Sequence, residues 1–332
     1  MKQQWLDRPE AGSAFGYRLM STFARLCGRT AARLVLFPIT AFFLLRRGPE
    51  RRAARNYLAL ALGHRASSLD VAKQFYCFAA VILDRMFLLT ESFKRFDIQV
   101  HGLDELREQW GKQRGVLVFG SHLGSFDALR VLGTIRKDVK VRVVLDTEHN
   151  PEITRFLNTF NPELARSIIN ARQDGTVTAL AIKEALDEAA LVTLLVDRAR
   201  PGNQVTLVNF LGKPAPFPTG PWQLAAALKV PVVLCFGLYR GGNRYELHFE
   251  VFADTVRVER ADREASLNVI LQRYADRLGH YTRSAPYNWF NFYDFWQPNP
   301  PLPERSADHE PAGADADADA RRAAAGVERR PE

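Results

Sequence analysis

The stretch from Gly115 to Asp127 constrains this chain more than any other. Val116-Leu117-Val118-Phe119 is a short apolar run of strand type, Gly120-Ser121-His122 is a turn, and Phe126, Leu129, Val131 and Leu132 continue at helical spacing. A buried strand that breaks at Gly-Ser-His and feeds a helix predicts an open α/β sheet with His122 at a strand's carboxyl end, where such sheets do their chemistry. Asp127 follows with four residues between. In an unbroken helix that spacing leaves the two side chains about 140° apart. They meet only if His122 sits in the turn and Asp127 in the first helical turn, a bend that Gly120 and Gly124 permit.

The pair suits acid–base chemistry. A neutral imidazole accepts a hydroxyl proton near pH 7, and a carboxylate on its other nitrogen fixes the tautomer and stabilises the imidazolium. The same residues also fit a buried histidine donating to a backbone carbonyl, with Asp127 as a first-turn helix charge.

The basic charge of the chain is local. Residues 1–65 hold 12 Lys/Arg against 3 Asp/Glu, a surplus of nine, whereas the whole chain carries only +8. Within this region Leu34 to Leu45 is uncharged, and its 12 residues fall short of the ~20 a spanning helix needs. Arg25, Arg29 and Arg33 lead in, and Arg46, Arg47, Arg51, Arg52 and Arg55 follow. Arginines on both flanks of an apolar helix suit an interfacial anchor on anionic lipid. A tilted span from near Phe15, with snorkelling arginine stems, and a core helix capped by solvated arginines remain open. No small-residue cleavage site follows, which argues against a signal peptide.

The remaining pattern divides the chain into a basic apolar segment over 1–65, an α/β domain over 66–302 and a tail over 303–332. Val71, Phe75, Phe78, Ile82, Met86 and Leu89 predict a helix from Ser68 whose stripe is core, or the lining of an acyl groove. Strands are expected at 96–100, 139–145, 191–196, 205–210, 230–239 and 245–252. Helices are expected at 103–112, 152–170 over the site mouth, 176–188 with Leu180, Ile182 and Leu186 inward, 222–229 and 263–283. Pro214, Pro216, Pro218 and Pro221 predict an extended loop. Tyr287 to Trp296, dense in aromatics, fits either core closure or a lipid interface. The Asp-Ala repeats after Pro303 predict disorder. Cys27, Cys77 and Cys235 show no metal-ligand spacing and read as plain buried thiols of a reducing compartment. His149 beside Asp146 and Glu148 is read as a solvated loop residue, so no metal is expected. Phosphate-loop, dinucleotide and nucleophile-elbow motifs are absent; Ser121 and Ser125 sit wrongly for a serine nucleophile. The basic region lacks interleaved aromatics, which argues against nucleic acid.

Several blocks together carry a resemblance. Ser121 to Asp127 resembles the H-x4-D/E block of glycerolipid-type acyltransferases, especially the lipid A late acyltransferase (lauroyl/myristoyl transferase) superfamily. Asn170 to Gly175 looks like its R-x-D turn, Leu194 to Arg198 like its strand ending in Asp plus Gln or Arg, and Phe210 to Ala215 with Pro218 to Pro221 like its F-x-G-x-x-A and P-x-G-P segments. Val230-Pro231-Val232 resembles the V-P-V strand, and the similarity runs over roughly residues 15 to 300. It implies a glycerolipid acyltransferase-like sheet flanked by helices, His122 as general base held by Asp127, and Arg172 on the substrate carbonyl or a phosphate. A salt bridge from Arg172 to Asp174 or Asp197 fits equally. The blocks further imply substrate contacts at Asp174, Asp197, Arg198 and Gly220. Where the glycerol-phosphate branch carries a Glu, this chain has Thr219, and no Arg follows; that favours a lipid A-like acceptor.

The expected activity is acyl transfer from a thioester donor, acyl carrier protein or else acyl-CoA, to a hydroxyl or amine of a lipid, at the cytoplasmic face of the inner membrane and without cofactor or metal. Two rivals remain: a thioesterase that uses the same pair on water, and a non-catalytic membrane-binding protein.

Overall fold

The computed structural model describes residues 14–88, 94–111, 114–127, 139–147, 157, 162–171, 174–200 and 202–296. The expectations for Leu89, Lys112, His149, Arg172, most of the first half of the 152–170 helix and the 303–332 tail lie outside these residues; within that helix Pro162–Arg166 is helical, but Ile168–Asn170 is a strand that pairs in the sheet.

Among the described residues, seven strands form one sheet in the order β1-β9-β8-β2-β5-β3-β4. These are β1 (Asp97–His101), β2 (Val116–Gly120), β3 (Val141–Leu145), β4 (Ile168–Asn170), β5 (Leu191–Leu195), β8 (Val232–Tyr239) and β9 (Arg244–Ala253). All neighbours run parallel except β8 and β9, which form an antiparallel hairpin through Arg240–Asn243. The fold is α/β, with a mostly parallel sheet between helices. The central strands β2 and β8 are buried throughout, as their near-continuous Val, Leu and Phe demand: side chains on both faces meet helices rather than water.

The helices are α1 (Ala14–Arg46), α2 (Gly48–Leu62), α3 (Ser68–Leu88), α4 (Leu103–Gly111), α5 (Pro162–Arg166), α6 (Gly175–Asp187), α7 (Gly220–Leu228) and α8 (Arg263–Ser284). On α6, Ile182 and Leu186 are buried but Leu180 is exposed, against the sequence pattern. Ile182 and Leu186, four apart, share a face; Leu180 lies about 160° from Ile182 and must point out.

Between α6 and α7 the expected proline loop is instead a strand. Lys213–Pro218 (β7) pairs antiparallel with Val205–Phe210 (β6). Pro214, Pro216 and Pro218 alternate, so their missing N–H groups all fall on the side that makes no ladder bonds, and the partner-facing donors survive at Lys213, Ala215 and Phe217.

Helix α1 differs most from its sequence reading. It kinks at Gly28 (φ 81°, ψ 169°), and Leu26–Arg46, 21 residues, is long and apolar enough to cross a membrane by length and composition. The stretch exceeds the uncharged run because it takes in Arg29 and Arg33, and both of these are tied down. Arg29 makes a bidentate pair with Asp84 of α3 (Nε–Oδ1 2.7 Å, Nη2–Oδ2 2.8 Å), and Arg33 adds a bond at 3.4 Å and another to the Tyr239 hydroxyl. Tyr245 also donates to Asp84 Oδ2 at 2.8 Å, and the Asp84 side chain is fully buried. Ala24, Ala32, Leu36 and Thr40 bury one face of α1. Leu26, Leu34, Phe37, Phe42 and Leu45 remain 55–81% exposed. Cys27 is exposed with them, contrary to its reading as a buried thiol, because it lies on the outward side; Cys235 alone is fully buried.

Asp84→Ala strands two guanidinium groups and a phenol at a buried site, and breaking such a cluster costs about 3–5 kcal/mol. Urea unfolding is expected to show that loss, and limited proteolysis is expected to release α1 from the body.

Candidate active site

Parallel pairing of β2 with β5 builds the site. The register runs Val116↔Leu191 to Gly120↔Leu195, so His122 and Asp197 each stand two residues beyond the last matched pair. Two neighbouring strands that stop together deliver both side chains to one place. His122 Nδ1 lies 2.7 Å from Asp197 Oδ1. Asp197 Oδ2 accepts from the His122 backbone N–H (3.0 Å) and from the Trp289 indole N–H (3.1 Å). Its carboxylate is therefore filled by three donors and is 0% exposed.

This corrects one expectation. The carboxylate on the imidazole is Asp197, not Asp127. Asp127 does begin a helical turn, but its Oδ2 accepts from Arg85 Nε of α3 at 2.5 Å, in a largely buried pair. The reason lies in the bend. Gly124 takes φ +67°, and its N–H and that of Ser125 bond Asn288 O and Gly237 O at 2.8 and 2.7 Å. A Cβ at Gly124 would lie 1.8 Å from Gly237 O, so the turn is pressed flat against β8 and only glycine fits. Gly120 keeps strand geometry; its missing side chain makes room for the Phe126 ring.

The aromatic segment after α8 closes this turn. A short 3₁₀ turn, Pro286–Asn288, leads into Trp289, which bridges Leu123, while Phe290 N–H donates to His122 O at 3.0 Å. Trp289, Phe290 and Phe295 are buried, so the segment closes the core. Phe290 and Phe292 stack edge-on against Phe78 of α3, at 5.3 and 5.2 Å, next to the histidine turn.

Nδ1 faces a fully buried carboxylate, and the His122 side chain as a whole is 37% exposed. Burial lowers the pKa of His122 below its ordinary 6.5, helped by the positive charges of Arg198 and Arg85, with Asp197 pulling the other way. Burial alone would raise Asp197, but the charge and hydrogen bonds of His122, and Arg198 beside it, hold it far below the usual carboxylate range. These shifts favour a neutral imidazole beside a charged carboxylate; with Nδ1–H donating to Asp197, the lone pair rests on Nε2.

Arg198, next to Asp197, donates to Phe290 O at 2.6 Å, with its guanidinium 5.6 Å from the Tyr293 ring centre. Asp174 is exposed and caps α6, accepting from Thr176 N–H at 2.8 Å, which lowers its pKa. Gly220 begins α7 with open space around it. The hydroxyls of Ser121 and Ser125 are buried with no hydrogen-bond partner among the described residues, so neither is held by the imidazole. Trp289 and Arg85 are the site members that spacing did not reveal.

A family model, bacterial lipid A biosynthesis acyltransferase, matches residues 3–297. The chain belongs to this family. No curated protein matches it. The sequence resemblance and the fold thus agree, and this protein is an acyltransferase of lipid biosynthesis. His122 at the end of β2 lies inside the matched span with every other residue of the site.

Proposed function

We propose that this acyltransferase moves an acyl group from a thioester donor directly to a hydroxyl or amine of a lipid A-like acceptor, with His122 as general base. The observation that carries the reading is the His122–Asp197 pair at the ends of adjacent parallel strands, joined through Nδ1 so that Nε2 is not committed to Asp197. In this reading Nε2 takes the acceptor's proton as its oxygen or nitrogen attacks the thioester carbonyl, and Asp197 stabilises the imidazolium that forms. The proton then passes to the leaving thiolate as the tetrahedral intermediate collapses. The Ser121 and Ser125 hydroxyls, without a hydrogen-bond partner among the described residues, favour direct transfer over a covalent acyl-enzyme. Arg172 is proposed to steady the oxyanion, with Arg198, Asp174 and Gly220 in substrate contacts. Acyl carrier protein is the proposed donor, its acidic surface suiting a basic partner, with acyl-CoA as the competitor.

The proposed place is the cytoplasmic face of the inner membrane. Leu26, Leu34, Phe37, Phe42 and Leu45 form an uncovered apolar face on a helix whose opposite side is clamped to the body by Asp84, which favours α1 lying in the lipid surface over crossing it.

The test incubates full-length protein with anionic vesicles containing a lipid A precursor and either acyl-carrier-protein thioester or acyl-CoA. Mass spectrometry of the lipids is expected to show an acylated acceptor. Free fatty acid without acylated lipid would overturn transfer in favour of the thioesterase, and vesicle binding with neither product would favour the non-catalytic reading.

A further inference from the structure

At the far edge of the sheet three side chains converge, two from β9 and one brought beside them by β1. Among the described residues strand β1 pairs only with β9, and the parallel register sets Gln99 against Glu246 and His101 against His248. Side chains two apart share a face, so His101, Glu246 and His248 all project on the same side of this strand pair. The His101 and His248 rings stack 4.6 Å apart at 14°, and His248 Nε2 is 3.2 Å from Glu246 Oε2. One ligand atom from each of the three lies within 4.8 Å of the other two.

We propose that His101, Glu246 and His248 bind a single divalent transition-metal ion of the Zn²⁺ class, which staples β1 to the sheet. Two imidazole nitrogens and a carboxylate oxygen are a donor set that such ions accept, with a fourth position left to water. Bonds of about 2.0–2.1 Å in a tetrahedron put ligand atoms roughly 3.3 Å apart, and the His248–Glu246 separation of 3.2 Å already matches. His101 is exposed, and a turn of its ring out of the stack would shorten the remaining separations toward that edge length. Arg240 Nη2, 2.8 Å from Glu246 Oε2, is the adjoining charge. It serves as the outer hydrogen bond that orients a ligating carboxylate, and Glu246 offers the metal its remaining lone pairs. The site has a structural use: among the described residues β1 is an edge strand of five residues with a neighbour on one side only.

Metal-stripped full-length protein titrated with ZnCl₂ by calorimetry is expected to bind one ion per chain and to gain several degrees in Tm. Co²⁺ is expected to give the visible absorption of a tetrahedral site. His101→Ala alters only an exposed side chain, and is expected to weaken Zn²⁺ binding at least tenfold and to abolish the Tm gain; Glu246→Gln is expected to do the same. No binding to the stripped protein, or binding left unchanged by both substitutions, would overturn the proposal. Acyl transfer is read separately, so the failure of either reading leaves the other intact.

Discussion

Asp197→Asn is expected to lower kcat by roughly 10²–10⁴-fold, the range over which a positioned base with the wrong tautomer loses its advantage. Three donors converge on the Asp197 carboxylate: His122 Nδ1 at one oxygen, the His122 backbone N–H and the Trp289 indole at the other. An amide offers one oxygen in place of two. If that oxygen stays with the backbone and indole donors, the amide NH₂ faces Nδ1 and drives the ring proton onto Nε2, which abolishes the lone pair the reaction needs. If the amide flips, two fixed N–H groups confront an NH₂ in a buried site, an arrangement costing about 1–3 kcal/mol per unmet group. Steady-state kinetics with a thermal melt separates chemistry from folding. Asp127→Asn is the control: it loosens Arg85, so its effect is expected chiefly in stability. Equal losses of kcat in the two variants at equal Tm would reverse the assignment.

His122→Ala is expected to abolish transfer, a loss of at least about 10²–10⁴-fold, while vesicle binding through α1 persists. The wild-type pH profile gives the same group a second signature. Burial and Arg198 favour the neutral ring, so the acid limb of kcat/KM is expected below the ordinary 6.5. Arg198→Gln removes a positive neighbour and should move the limb upward; Asp197→Asn removes the counter-ion and should move what activity remains downward. The stability linkage has the same sign. Below pH 6.5 the unfolded chain takes up a proton that the folded site resists, so this group's contribution falls as the pH drops. A limb that ignores both substitutions would mean that the titrating base is another residue.

Much of this was legible before any coordinates. The apolar run ending at Gly120 announced a buried parallel strand, and the Val-Asp-Arg run announced a second with an acid at its end. Composition could not say that these two strands are neighbours in the sheet. That fact comes from tertiary pairing, and it is what turns Asp197, rather than the sequence-near Asp127, toward His122. Likewise the paired prolines of β7 hid a strand, because turn chemistry and an alternating edge look alike in one dimension. Leu180 misled because an apolar residue on an exposed face costs little and carries no label. The clamp at Asp84 was invisible for the same reason as the dyad: its arginines sit 55 and 51 residues away.

The strap from Asn288 to Phe290 has a consequence for biosynthesis. It supplies the indole that seals Asp197 and the backbone partner of the His122 turn, yet it is translated long after both. A nascent chain emerging from the ribosome can already have laid down β2 and β5 while its proton-transfer centre is still open to bulk water. Residues 288–290 therefore complete the site only after both of its strands have left the ribosome.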